Sequence, residues 1–167
     1  MFKYLTAAVA SVSAWKSDVD LIKDGEGLRL CTYIDTMGYK TVCYGFNLDR
    51  GSTRTTVQNA GGNYDALMKV GGCTTQTVCN KLLDKEVASA RTIGKNFVTV
   101  SCPAAQAVVT DMAYNLGAGG LGQFKNFKAA LQRKDWNGAA REIANSAYCG
   151  QVGRRCTRNQ AQIKECN

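Results

Sequence analysis

The chain has 167 residues, 45% of them hydrophobic and 20% charged, and carries a net charge of +8 at neutral pH. An apolar fraction large enough for a core and a single proline exclude a disordered chain, and no apolar run reaches the roughly 20 residues that a membrane-spanning helix needs. The absence of histidine excludes Ser-His-Asp and Cys-His catalysis, histidine-based zinc sites and the common pH switch. Chemistry is left to carboxylates, hydroxyls, lysine, tyrosine and cysteine.

The first fifteen residues admit two readings. Lys3, the apolar run from Leu5 and the Ser11-Val12-Ser13-Ala14 end have the layout of a short signal peptide. Phe2, Leu5, Val9 and Val12 equally fall on one side of a helix packed on the body. Next, Ser17 and Asp20 have capping-box spacing, and Val19, Leu21 and Ile22 form an apolar stripe. They predict a helix stopped by Gly25 and Gly27. Residues 29–33 and 40–44, rich in Tyr, Thr and Val, read as two strands of a hairpin. Asp35-Thr36-Met37-Gly38 supplies its turn, with Asp able to cap the loop and Gly able to take a positive φ.

Residues 49–62 are polar and glycine-rich and read as a loop; Asn63 caps and Gly71 stops a short helix over 64–70. The clearest amphipathic helix covers residues 75–93, with Val78, Leu82, Leu83, Val87, Ala90 and Ile93 at three- and four-residue steps, and Gly94 is expected to end it. Pro103 opens a run over 104–116 that is apolar nearly all round, the mark of a central buried helix. Residues 117–122 read as a flexible turn, 124–131 as a helix, and Asp135 as the cap of a helix over 136–144; a basic segment from Arg154 closes the chain. One hairpin amid helices predicts an α+β fold in which helices dominate.

Eight cysteines (Cys31, Cys43, Cys73, Cys79, Cys102, Cys149, Cys156 and Cys166) are an even and high count for this length. They predict four disulfides formed in an oxidising compartment. Cys31 with Cys43 would cross the hairpin. Cys73 with Cys79, and Cys149 with Cys156, would close short loops, leaving Cys102 with Cys166 to tie down the C-terminus. The positive charge calls for an anionic partner. A bacterial wall, with its teichoic acids and peptide carboxylates, fits; nucleic acid fits the charge alone, because no nucleic-acid-binding motif is present.

Chemistry concentrates in one stretch. Eight residues separate Glu26 from Asp35, and five separate Asp35 from Thr41. A helix end would set Glu26 beside a hairpin carrying the other two. Two carboxylates and a hydroxyl on one gap are the minimum for acid/base cleavage of a glycosidic bond.

The run Glu26-Gly27-Leu28-Arg29-Leu30, followed by Tyr33, Asp35, Gly38-Tyr39, Thr41 and Tyr44-Gly45, resembles the phage-type lysozymes, glycoside hydrolase family 24. Ala113-Tyr114-Asn115-Leu116-Gly117, the helix at Trp136 and Arg154-Arg155 extend the resemblance from about residue 18 to the C-terminus. It implies a mainly helical lysozyme-like fold in one domain over 1–167. A small β-containing lobe (about 28–80) would be joined by a long helix to a helical lobe (about 94–167, with the N-terminal helix). It implies hydrolysis of the β-1,4 bond between N-acetylmuramic acid and N-acetylglucosamine in bacterial peptidoglycan. Inversion is the expected outcome, with the carboxyls roughly 6.5–9.5 Å apart.

By the same resemblance Glu26 is the general acid, Asp35 the base or water-positioning group, and Thr41 a second holder of that water. Arg155 would orient Glu26 or bind wall peptide, Tyr114 and Asn115 would touch sugar, and Asn47, Phe127 and Glu142 fall at substrate-contact positions with residue types that differ from the usual ones. The family's Gly-His is Gly45-Phe46 here, so a histidine–acid pair with Glu86 cannot form, and disulfides would supply the lost stability. No metal or cofactor is implied. The protein would act as a secreted or, if phage-encoded, periplasmic monomer. Two other classes fit parts of the pattern: a non-enzymatic cationic wall- or membrane-binding antibacterial protein, and a lytic transglycosylase. The water-holding pair Asp35 and Thr41 favours hydrolysis over the latter.

Overall fold

The computed structural model describes residues 15–167, so both readings of the first fourteen lie outside it. Helix α1 (Asp18–Glu26) begins at Ser17, whose hydroxyl accepts from the Asp20 amide at 3.1 Å and donates to the Asp20 carboxylate at 2.7 Å. It ends at Gly27, where φ reaches 71°. Gly25 does not stop it as expected. The Arg155 guanidinium lies against Gly25, and a Cβ there would come within 2.9 Å of Arg155 Cζ, so this glycine serves close approach.

Strands β1 (Arg29–Ile34), β2 (Lys40–Cys43) and β3 (Phe46–Asn47) form one antiparallel sheet in that order. The two-residue β3 is too short to leave a period-two signal in the sequence. The β1–β2 turn closes as its chemistry predicts. The Gly38 amide donates to the Asp35 carbonyl at 3.0 Å, and Gly38 takes φ 86°.

Residues expected as loop contain helix α2 (Thr53–Ala60). Its threonines are poor helix formers, but Thr53, Val57 and Ala60 are buried, so tertiary packing supplies what propensity lacks. Helix α3 (Tyr64–Leu67) is shorter than expected; Asn63 caps it by accepting from the Ala66 amide.

Helix α4 (Gln76–Phe97) runs past Gly94, against expectation. Gly94 is buried inside it, where a Cβ would lie 3.3 Å from a Val109 methyl carbon of α5 (Pro103–Gly122). It lets two backbones approach rather than ending one. Helix α5 bends at Gly117 (φ 65°, ψ −178°) and then resumes, so the turn expected over 117–122 is confined to one residue. Helices α6 (Lys125–Gln132), α7 (Trp136–Ala144), α8 (Ala147–Val152) and α9 (Arg154–Lys164) complete the described chain. Asp135 caps α7 as expected, accepting from the Gly138 amide at 2.7 Å.

The buried side chains fall into two clusters. One joins Ile22, the sheet residues Val42, Tyr44 and Phe46, Leu48, Val57, Leu67 and the first turns of α4: Val78, Leu82, Leu83 and Val87. The other joins Leu21, Ala90 of α4, the buried face of α5, Phe127, Leu131, Ile143 and Ile163. Helix α4 therefore contributes to both cores, and Tyr114 of α5 packs against both. The fold is α+β, mainly helical, with a small antiparallel sheet.

Four disulfides form, and two of the expected pairings are corrected. Cys149–Cys156 and Cys102–Cys166 are as expected, but Cys31 pairs with Cys73 and Cys43 with Cys79. Strand register explains the change. Cys43 stands opposite Arg29, and the β1–β2 pairing shifts between Arg29 and Tyr33, so Cys31 has no cross-strand partner in Cys43. Cys31 instead bridges to the segment at Cys73. Cys43, buried with φ 62°, meets Cys79 of α4.

Candidate active site

Glu26 is the last residue of α1, about one-fifth exposed, with one oxygen on each side committed to a neighbour. Its Oε1 accepts from Arg155 Nη1 at 2.7 Å. Its Oε2 lies against Gly45, where a Cβ would come within 3.1 Å and where φ is 79°. A side chain at position 45 would thus both strain the backbone and press on the carboxylate. Glycine at the β2–β3 turn keeps that oxygen clear.

Asp35 opens the β1–β2 turn and is held by the turn's own donors. Its Oδ1 accepts from the amides of Met37 at 2.8 Å and Tyr39 at 2.9 Å, and its Oδ2 accepts from Thr41 Oγ1 at 3.1 Å. The Tyr39 amide first, then Met37, Thr41 and Gly38, hold the Asp35 carboxyl below its ordinary value against a smaller opposing effect of desolvation. Thr41 is buried on β2 and stands opposite Asn47 of β3. Asn47 Oδ1 accepts from the Asp49 amide at 2.8 Å. Turn and strand register thus gather Asp35, Thr41 and Asn47.

Tyr33 connects this group to Glu26. Burial pushes its hydroxyl above the ordinary value; Arg29 opposes that, and the charges of Asp35 and Glu26 both add to it. One ring therefore lies within electrostatic reach of both carboxylates. Ile34, Met37 and Tyr39 remain exposed around Asp35.

On the helical side, the Tyr114 hydroxyl donates to the Tyr44 carbonyl at 2.8 Å, tying α5 to the sheet. Burial pushes that hydroxyl far up, with the charges of Glu26 and then Glu86 adding to it, so it stays a donor. Asn115, one residue on, is exposed beside the bend at Gly117. Phe127 is 1% exposed and packs against Phe97 and Phe124. With Glu142, Tyr148, Asn145 and Gln151 it lines a cavity of about 620 Å³ on the helical side. Phe127 and Glu142 thus belong together, lining one cavity.

Arg155 is 6% exposed and is the hub of a network of which the sequence reading held only the link to Glu26. Its Nε and Nη2 donate to the two carboxylate oxygens of Asp111 at 3.0 and 2.9 Å. Asn159 Nδ2 adds a third bond to Asp111 at 2.8 Å. Asp111 is fully buried on α5. Burial alone would lower Arg155, but Asp111 and then Glu26 outweigh it and hold the guanidinium firmly charged. The missed signal was a carboxylate inside a helix otherwise apolar all round, which demands a buried partner. Glu86, expected to lack its family partner, instead meets Arg50 Nη1 at 3.2 Å.

The chain matches the family model described as Phage lysozyme over residues 23–159. Among curated proteins it is similar to the pre-baseplate central spike protein Gp5 of Enterobacteria phage T4. The two are 27% identical over 156 residues, which cover 85% of this chain and 26% of that protein. The chain thus spans about a quarter of the length of this relative.

Proposed function

Because this chain belongs to the phage lysozyme family, we propose that it hydrolyses the β-1,4 bond between N-acetylmuramic acid and N-acetylglucosamine in bacterial peptidoglycan, with inversion. In this reading Glu26 gives its proton to the glycosidic oxygen as the bond to the anomeric carbon breaks. A water then bonds to that carbon from the opposite face and loses a proton toward Asp35. A base works best near the operating pH, and Asp35 is held well below it. Its larger share is therefore to orient the water and offset the positive charge that builds on the sugar ring. Thr41, which donates to Asp35, keeps oxygen lone pairs with which to accept from the same water.

The single observation that supports this most is the hairpin pair: the Thr41 hydroxyl donates to an Asp35 carboxylate that its own turn keeps charged, on a hairpin whose Tyr33 lies within electrostatic reach of Glu26. Exposed Ile34, Met37 and Tyr39 offer apolar surface for sugar faces, and the cavity at Phe127 and Glu142 has room for the glycan's peptide or a further sugar. A net charge of +8 favours approach to an anionic wall. The four disulfides fit a secreted or periplasmic site of action.

Glu26→Gln keeps the shape and the Arg155 contact but removes the proton. Wall lysis followed by turbidity should fall by at least about 100-fold, with sedimentation of the variant on intact walls unchanged. Lysis by the variant at the parent rate would instead identify a non-enzymatic binder.

A further inference from the structure

The guanidinium of Arg155 creates a difficulty for any proton donor beside it. A buried cation 2.7 Å from Glu26 Oε1 favours the carboxylate over the acid. An acid that cannot keep its proton cannot give it to a leaving group. The cation is, however, not Glu26's alone. Asp111 takes Nε and Nη2 in a two-pronged contact and leaves only Nη1 to face Glu26.

We propose that Asp111 is a positioning and charge-balancing residue for the reaction: it neutralises and orients Arg155, so that Glu26 can hold a proton without leaving an unpaired buried cation. The inference rests on the proposed role of Glu26 as general acid. Its basis is a charge count. Arg155 and Asp111 are 6% and 0% exposed, so neither is served by solvent. Together they sum to zero, and Arg158, about one-fifth exposed and 3.7 Å from Asp111, is a second cation that the same carboxylate offsets. Without Asp111, protonating Glu26 would strand a positive charge in a nearly dry site, which is strongly unfavourable. The fork geometry adds aim. With two of its edges fixed, the guanidinium plane has one orientation, and Nη1 is directed at Oε1.

Other charges around the pair do not replace Asp111. Arg158 of α9 approaches Asp111 only to 3.7 Å and Asp24 of α1 only to 3.8 Å. Asp24 is itself paired with Lys16. Tyr114 of α5 donates to a backbone carbonyl. Tyr33 of the hairpin lies within electrostatic reach of Glu26, and Tyr148 of α8 lies within reach of both Asp111 and Glu26. Among the described residues, only Asp111 makes hydrogen bonds to Arg155 besides Glu26.

The test is the pH dependence of kcat/KM on soluble peptidoglycan fragments for the parent, Asp111→Asn, and the double variant Asp111→Asn/Arg155→Gln. In Asp111→Asn the unpaired cation should drive Glu26 to its charged form at lower pH. The basic limb of its kcat/KM profile should therefore lie at lower pH than the parent's, by about one pH unit for each tenfold loss of proton affinity. A merely structural role would lower activity without moving that limb, and that result would overturn the inference. The double variant replaces both members by neutral amides and leaves neither as an unpaired buried charge. Its basic limb should not move to lower pH, and a limb moved as far as that of Asp111→Asn also overturns the inference. A parent protein with no hydrolysis at any pH would instead refute the parent reading.

Discussion

Asp35 and Glu26 are both carboxylic acids, and their surroundings separate them. Asp35 receives backbone amides from its own turn and a hydroxyl from Thr41, all of which favour charge. Because its folded value is depressed, Asp35 stays ionised until the pH falls below the ordinary carboxylate range near about 4. The acid limb of the activity profile should therefore lie lower than an unperturbed aspartate would set it. Thr41→Val removes one donor and should move that limb upward, as a pH series on a soluble substrate would read. An unmoved limb would mean that Thr41 does not act through Asp35. At this scale the sequence was readable where spacing is local, as in the hairpin that brings Thr41 onto Asp35. A carboxylate in the apolar run of α5 called for a partner, but one 44 positions away leaves no local pattern by which to identify it. Nor could the sequence show that Gly25 makes room for that same partner.

Elements that satisfy themselves locally were legible. Ser17, Asn63, Thr75 and Asp135 cap the helices they precede, each through its own side-chain oxygen. Elements decided by distant packing were not. Helix α2 exists because Val57 and Ala60 are covered, and α4 outruns Gly94 because α5 presses on it there. The disulfides divide the same way. The short Cys149–Cys156 loop, with its separation of 7, forms as expected, but the same reasoning failed for Cys73 with Cys79; Cys31–Cys73 and Cys43–Cys79, with separations of 42 and 36, depend on strand register and on where α4 docks. The close approach of α4 to α5 makes a direct prediction. Gly94→Val should push the helices apart and cost about 1–3 kcal/mol, read from the urea unfolding midpoint. An unchanged midpoint would show that the contact tolerates a side chain.

At the level of the whole molecule, two cores meet along α4 and at Tyr114, and the Glu26 carboxylate lies where they adjoin: α1 supplies it, Gly45 of the sheet side flanks it, and Arg155 of α9 holds it. In the proposed reading the proton donor comes from a helix end, the water-holding pair from a hairpin, and the charge balance from helices far along the chain. The Arg50–Glu86 pair and Cys43–Cys79 both tie the segment around the sheet to α4.

The account stands most directly on what leaves the enzyme. A proton NMR time course of a β-1,4-linked peptidoglycan oligosaccharide should show a new reducing end, with its α-anomer appearing before mutarotation brings in the β form. A first appearance of the β-anomer, or products with no reducing end at all, would contradict water-mediated inversion by Glu26 and Asp35.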